Sequence, residues 1–284
     1  MPEISVIVPH YNDLDALDAC LNSLEKQTLE RDRFEIVVCD NNSPLPPDRI
    51  AQVTGSRARL VSESEKGAGP ARNRAVTETQ GKTLAFIDSD CIAEPEWLEN
   101  GLARLTDADI VGGKVRVFSL ADKPTGADLF EQIFAFDQKT YVEEKGFSVT
   151  ANLFCARSTF DAVGPFRNGV SEDLEWCMRA RRLGFGIAYA DDAVVAHPSR
   201  PDWPSLRKKW ERLTHETYAL VRQEGTSTAS WQMRQLAVAA SALPHSAKVL
   251  STSLSTSEKL RVLGTLWKIR LWRAAEGLKI SLSR

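Results

Sequence analysis

Hydrophobic positions in the first 120 residues alternate between two rhythms. Short β-rich apolar runs at residues 4–9, 34–40, 59–62, 83–88 and 110–118 predict strands. Between them the spacing turns helical. Leu14, Leu17, Leu21 and Leu24 fall on one helix face, Pro70 opens a helix carrying Arg72 to Val76, and Pro95 starts another that runs to Leu105. Strand–helix alternation of this kind predicts an α/β fold, a Rossmann-like mixed and mostly parallel sheet with helices on both faces.

The rhythm loosens over residues 121–170, where a helix is expected around 128–139 and a short extended segment at 152–156. Residues 171–183 read as a helix closed by Gly184, and 187–190 and 193–196 read as strands. After Pro198-Ser199-Arg200-Pro201 the pattern becomes helical and Ser/Thr-interrupted, so a boundary is set near 200. That boundary predicts an α/β domain over 1–200 and a helical extension over 201–284.

Charge sharpens the division. Residues 201–284 carry 14 Lys/Arg against 6 Asp/Glu, a balance of +8, while the first 200 carry 22 against 32. A basic tail on an acidic body is suited to an anionic membrane surface or an acidic acceptor; a solvated helical face is the plainer reading. The five cysteines are scattered without a CxxC pair, which excludes a zinc site or a disulfide framework and fits a reducing compartment. The first strand begins within four residues of the start and no apolar stretch approaches a membrane span, so a cytoplasmic chain is expected, or one at the inner face of the membrane.

Candidate chemistry gathers at strand ends, where open α/β sheets bind ligands. Three polar clusters fall there: Pro9-His10-Tyr11-Asn12, Asp40-Asn41-Asn42-Ser43 and Asp88-Ser89-Asp90. Two carboxylates at i and i+2 suit a hard divalent cation such as Mn²⁺ or Mg²⁺, although Asp and Ser are also good turn residues. Asp40 is a candidate acceptor for a nucleobase or ribose. Gly67-Ala68-Gly69-Pro70-Ala71-Arg72-Asn73 opens a helix and can approach a diphosphate, but it follows the third strand and lacks the last glycine of a dinucleotide fingerprint. At the start of the 171–183 helix, Glu172 and Asp173 complement its dipole, and Asp173 is a candidate general base. His197, after the last strand, is a candidate third metal ligand.

In order and spacing these blocks resemble family 2 glycosyltransferases of the GT-A fold. The similarity runs from Ser5-Val6-Ile7-Val8-Pro9-His10-Tyr11-Asn12 through residues 21–28, 35–43, 67–73 and 86–90 to 150–166, Glu172-Asp173, Arg179, Leu183-Gly184 and His197. The resemblance implies a nucleotide-sugar half over 1–120 and an acceptor half over 121–200. It also implies an inverting, metal-dependent transfer from a nucleoside-diphosphate sugar, with UDP the favoured nucleotide, to a glycan or lipid-linked hydroxyl. Pro9, Tyr11, Asn12, Asp40, Asn42, Gly67, Arg72, Asp88, Ser89 and Asn152 would then bind the donor. Asp88, Asp90 and His197 would hold the metal, and Asp173 would act as base with Glu172 beside it.

The family's processive members carry a Gln-x-x-Arg-Trp motif, for which this chain has Arg207-Lys208-Lys209-Trp210, so a single addition is expected. No nucleic-acid partner is expected. Leu263 to Ile280 mixes Trp267 and Trp272 with Lys268, Arg270, Arg273 and Lys279, suiting either a membrane interface or packing on the catalytic domain or a second subunit. Two other readings compete: a sugar-phosphate nucleotidylyltransferase, which expects a glycine-rich loop after the first strand, and a nucleotide-sugar-binding module without turnover.

Overall fold

A computed structural model of the chain describes residues 1–282. The elements run β1 (Ile4–His10), α1 (Leu14–Leu24), β2 (Phe34–Asp40), α2 (Pro47–Thr54), β3 (Arg59–Ser62), α3 (Ala68–Thr77), β4 (Thr83–Phe86), β5 (Ile92–Ala93) and α4 (Trp97–Arg104). They continue with β6 (Ile110–Phe118), α5 (Gly126–Phe134), α6 (Gln138–Glu143), β7 (Leu153–Ala156), α7 (Arg157–Val163), α8 (Glu172–Arg182) and β8 (Ile187–Pro198). Four helices follow: α9 (Trp203–Gln223), α10 (Thr228–Ala240), α11 (Ala242–Leu250) and α12 (Thr256–Leu282).

The strands form one sheet in the order β3-β2-β1-β4-β7-β6-β8-β5. β1 pairs in parallel with β2 and β4, and β2 in parallel with β3. The sheet is mixed, because β7 runs antiparallel to β4 and β6, and β5 antiparallel to β8. Parallel pairing needs a crossover helix between strands, and the first half of the chain supplies one at each step.

Every residue of β1 is buried, so both faces of the sheet are covered. Its alternation splits the core. Ile4, Val6 and Val8 pack with Leu17, Leu21 and Leu24 of α1, while Ile7 packs on the other face with Ala71, Ala75 and Val76 of α3.

The chain divides into two compact units, one of residues 1–116, 136–168 and 172–197, the other of 117–135, 169–171 and 198–284. The boundary near 200 thus has a second part, since residues 117–135 group with the C-terminal helices. Within that unit, Ala127, Leu129 and Phe130 of α5 share a core with Leu206, Val249, Val262, Leu266 and Ile269. Buried Glu131 pairs with Lys209 at 2.6 Å, and Asp128 accepts the Ser199 hydroxyl at 2.6 Å.

Several elements depart from the sequence pattern. The helix expected around 128–139 is two helices, broken where Phe136 turns left-handed at φ 53°. The strands expected at 187–190 and 193–196 are one strand, β8. β4 stops at Phe86, which leaves Asp88 beyond the regular ladder while Ile87 N–H still donates to Ile7 O at 3.2 Å.

Candidate active site

The parallel register pairs His10 with Asp40 at the carboxyl ends of β1 and β2. His10, 1% exposed, sets Nδ1 3.0 Å from Asp40 Oδ1, and Asp40 also accepts from the Ser43 N–H at 3.1 Å and from its hydroxyl. The Asp40 carboxylate is therefore held rigid at the rim of the site by three donors. Asn12 N–H donates to Ser43 Oγ at 2.8 Å, tying the first turn to the second. Asn12 and Asn42 both adopt left-handed backbone, φ 55° and 57°, which Asn tolerates better than branched residues. Pro9 is buried, and Tyr11 is 52% exposed.

Asn41 organises the next loop. Its Nδ2 donates to the carbonyls of Glu63 and Glu65, and its Oδ1 accepts the Gly67 N–H at 2.7 Å. Gly67 sits at φ 139°, where a Cβ would lie 2.5 Å from Asn168 Oδ1, so both backbone and space require glycine. Helix α3 starts immediately after it and carries Arg72 inward.

Arg72 is the hub of the site. Its side chain is 4% exposed, with one guanidinium nitrogen 2.6 Å from Asp88 Oδ1 and another 2.9 Å from Glu172 Oε1. Its Nε has no hydrogen-bond partner. Burial disfavours the charge, but the Asp88 and Glu172 carboxylates outweigh it and hold the guanidinium above its usual range, with Asp173 adding to the same field. This one cation ties the end of β4 to the N-terminus of α8. The resemblance counts Arg72 among the donor-binding residues; here two of its guanidinium nitrogens are engaged by carboxylates.

Asp173, half-buried in the first turn of α8, accepts the Leu174 N–H at 2.7 Å. The helix is anchored by Glu175, 3% exposed, which binds Arg179 at 2.8 Å and Arg167 at 3.1 Å. Arg179 in turn donates to Pro165 O at 2.7 Å. Arg179 is thus a structural clamp on the acid-bearing turn.

On the other side of β4, the two-residue strand β5 pairs Ile92 with Ala196 and Ala93 with Val195. One step along that antiparallel register brings His197 beside Cys91 and Asp90. His197 Nε2 lies 3.6 Å from Asp90 Oδ2, and the ring packs on Phe136 at 4.6 Å between centroids. Asp90, Cys91 and His197 present ligand atoms within 4.8 Å of one another. A 3.6 Å span is within reach of two atoms that each sit about 2.1 Å from one ion, so carboxylate and imidazole fit a divalent cation. Cys91 is the weaker donor: burial and the Asp90 and Asp88 charges push its thiol well above the ordinary range and keep it neutral. Asp88 is not part of this triplet, since Arg72 engages it.

The structure corrects one expectation. Asn152, expected to face the donor, is 0% exposed in a short 3-10 turn just before β7. Its Oδ1 accepts the Trp97 indole N–H at 2.9 Å, and its Nδ2 donates to Lys114 O and Ala193 O, each at 2.9 Å. With every partner internal, it braces α4, β6 and β8. Asn152→Ala should lower stability by about 1–3 kcal/mol through the unpaired buried groups, with nucleotide affinity unchanged. Thermal unfolding beside nucleotide titration checks this, and a weakened affinity at unchanged stability would restore the donor-facing role.

Among the described residues all five cysteines are buried and unbridged; Cys39 beside Asp40 is pushed up to about 12, chiefly by burial, so none is an activated nucleophile. A cavity of about 630 Å³ near Thr106, Asp109, Ser158 and Phe185 lies by Ala156, which pairs with Thr83 at the start of β4, away from these groups.

Residues 5–167 match the family described as Glycosyl transferase family 2. The chain is 31% identical over 218 residues to glycosyltransferase AglE of Haloferax volcanii, covering 74% of this chain and 71% of AglE. Over a shorter stretch of 101 residues, 35% of this chain and 38% of the relative, it is 36% identical to the Escherichia coli UDP-Glc:alpha-D-GlcNAc-diphosphoundecaprenol beta-1,3-glucosyltransferase WfgD. Among solved structures it is similar to the mannosyltransferase PcManGT of Pyrobaculum calidifontis in complex with GDP-Man and Mn²⁺, with TM-score 0.58 and 19% identity over 99% of this chain and 75% of that one. It is also similar to S. aureus TarS 1–349 in complex with UDP-GlcNAc, with TM-score 0.56 and 19% identity over 95% and 72%.

Proposed function

This chain belongs to glycosyl transferase family 2, and from that premise we propose that it moves one sugar, with inversion, from a UDP-sugar to a hydroxyl on a glycan or lipid-linked acceptor. The observation that carries the reading is the Arg72 bridge, which joins the Asp88 end of β4 to the acid pair that opens α8 at 2.6 and 2.9 Å. A donor site and a base must lie within one sugar's reach of each other, and a shared buried cation holds two such elements together.

The residues divide the work. His10, Asp40 and Ser43 form a rigid acceptor surface for the base or ribose, and the turns at Asn12 and Asn42 frame it. Asp90 and His197 would hold Mn²⁺ or Mg²⁺, and Asp88, expected as a third ligand, would have to leave Arg72 to reach it. The cation would supply Lewis-acid stabilisation to the departing diphosphate. Asp173 takes the proton from the acceptor hydroxyl as its oxygen bonds to the anomeric carbon and the bond from that carbon to the diphosphate breaks. Glu172 is a positioning residue, held by Arg72. In domain terms, the unit of residues 1–116, 136–168 and 172–197 would carry the reaction, and the C-terminal helices with 117–135 would serve as an extension.

Two relatives support the finer points. WfgD uses UDP-Glc and makes a beta linkage, and UDP-glucose is an α-linked donor, so a beta product marks inversion. TarS binds UDP-GlcNAc, against the GDP-Man of PcManGT. The hallmark glycine-rich loop of a nucleotidylyltransferase is lacking after β1, where Pro9-His10-Tyr11-Asn12 stands.

Calorimetric titration tests the site. UDP should bind in the presence of Mn²⁺ at least tenfold more tightly than in EDTA, and more tightly than GDP. Asp90→Ala and His197→Ala should each erase the Mn²⁺ enhancement while leaving the metal-free affinity as it was. Equal UDP affinity with and without the ion would overturn the metal site, and tighter GDP would overturn the base assignment.

A further inference from the structure

Helices α10 and α11 follow one another with only Ser241, itself in helical conformation, between them. Along this run Met233, Leu236, Ala240, Leu243, Ala247 and Leu250 are all exposed, spaced alternately three and four residues apart. Helix α12 carries a comparable stripe of exposed Leu260, Gly264, Trp267, Leu271, Ala275 and Leu282, spaced three, four or seven residues apart. Each set forms one stripe on its helix. The buried face of α12 is separate, through Val262, Leu266, Ile269, Ala274, Gly277 and Ile280, so the helix is apolar on two sides. One side makes the core and the other faces outward.

The two stripes lie on one surface. Trp231 donates to Gly277 O at 2.7 Å, Gln232 to Ser281 Oγ at 3.3 Å and Trp267 to Ser246 Oγ at 3.2 Å, so α10–α11 and α12 run antiparallel. At roughly 100° per residue, each stripe sits about a third of a turn past its own contact seam, in the same rotational sense. In an antiparallel pair that sense puts both stripes on the same side. An apolar patch of this kind marks an interaction site.

The surrounding charge selects the occupant. Residues 225–282 hold eight Lys/Arg and two Asp/Glu, and α10–α11 contain no acid. On α12, exposed Arg261, Lys268 and Lys279 stand one residue along from the stripe or near it, Lys279 also pairing with Glu276 at 3.6 Å, while exposed Arg234 and Lys248 add to the positive charge of α10 and α11. Several are braced by rings or carbonyls: Lys268 lies 4.1 Å from the Trp203 ring centroid, Lys248 5.4 Å from that of Phe134, and Arg261 donates to Pro124 O. Such contacts fix the side chains without cancelling their charge. A second copy on this face would meet the same positive rim.

We propose that the α10–α12 face seats on an anionic phospholipid bilayer, with the Leu and Trp267 stripes at the acyl boundary and the flanking cations among the headgroups. No described helix is long and apolar enough to cross a membrane, so the contact is one of a face lying on the surface.

Flotation of the full chain with vesicles tests this. Vesicles of phosphatidylcholine containing about one-third phosphatidylglycerol should capture at least tenfold more protein than phosphatidylcholine alone, with the preference lost at roughly 1 M salt. Leu236→Glu with Leu271→Glu should abolish capture; both positions are more than half exposed, so unfolding temperature and UDP binding should be unchanged. Lys268→Glu with Lys279→Glu, a second route should the first variant fold poorly, should remove the anionic preference alone. Failure to float, or equal capture by neutral vesicles, overturns the proposal. So does a dimer by light scattering that the Leu→Glu pair dissociates while vesicles capture nothing. Capture is read without turnover, so this result and the sugar-transfer reading stand or fall separately.

Discussion

Asp173→Asn should lower kcat by about 10³-fold, within the range that a positioned general base contributes. The substitution keeps the size of the side chain and an oxygen that can still accept the Leu174 N–H at the helix start. It removes only the ability to take a proton, so UDP affinity with Mn²⁺ and the unfolding temperature should match the parent. Glu172→Gln is the informative contrast. Glu172 is tied to Arg72 at 2.9 Å, so its loss should weaken donor binding and stability first and leave a larger residual turnover. Nucleoside diphosphate release from whichever donor proves active, measured beside calorimetric binding, separates the two. Parental turnover by Asp173→Asn would remove it from the role of base.

The split between those two acids shows what one sequence can reveal. Their residue types and their position at a helix start are local signals, readable from 171–183 alone. Their division of labour is not, because Arg72 lies 100 residues before Glu172 and is brought to it by folding. The same holds for His10 and Asn41. Each sits in a block that the sequence flags, yet Tyr11 and Asn42, the exposed neighbours, attract attention first. Only the β1–β2 register shows that His10 faces Asp40, and only the folded loop shows Asn41 holding Gly67.

Strands were legible where apolar runs were long, as at 4–9 and 34–40. β5 was not, since two residues carry no periodicity, although its pairing with β8 is what brings Asp90 to His197. The break at Phe136 was hidden for another reason. Helical spacing continues through 128–139, whereas Phe136 turns left-handed and its ring packs on His197, a contact no local pattern shows. Asn152 misled in the opposite direction, because a polar residue in a family-like block reads as a ligand contact until its three internal partners are seen.

The other large effect is expected at Arg72. Arg72→Met keeps the length of the stem and deletes the cation between Asp88 and Glu172. Two carboxylates that are 30% and 15% exposed are then left close together without compensation. Breaking a buried ion pair by removing one partner costs about 3–5 kcal/mol, and the partial exposure of Asp88 favours the lower end. For a chain of this size the unfolding temperature should fall on the order of 10 °C. Arg72→Lys should recover little, since one ammonium on a flexible stem does not reach two carboxylates as a planar fork does. Combining Arg72→Met with Glu172→Gln should recover part of the loss, because it removes a stranded charge; the non-additivity measures the coupling directly. If Arg72→Met unfolds within a degree or two of the parent, Arg72 is not the strut between β4 and α8. The base-bearing helix would then owe its position to the Glu175, Arg179 and Arg167 cluster alone.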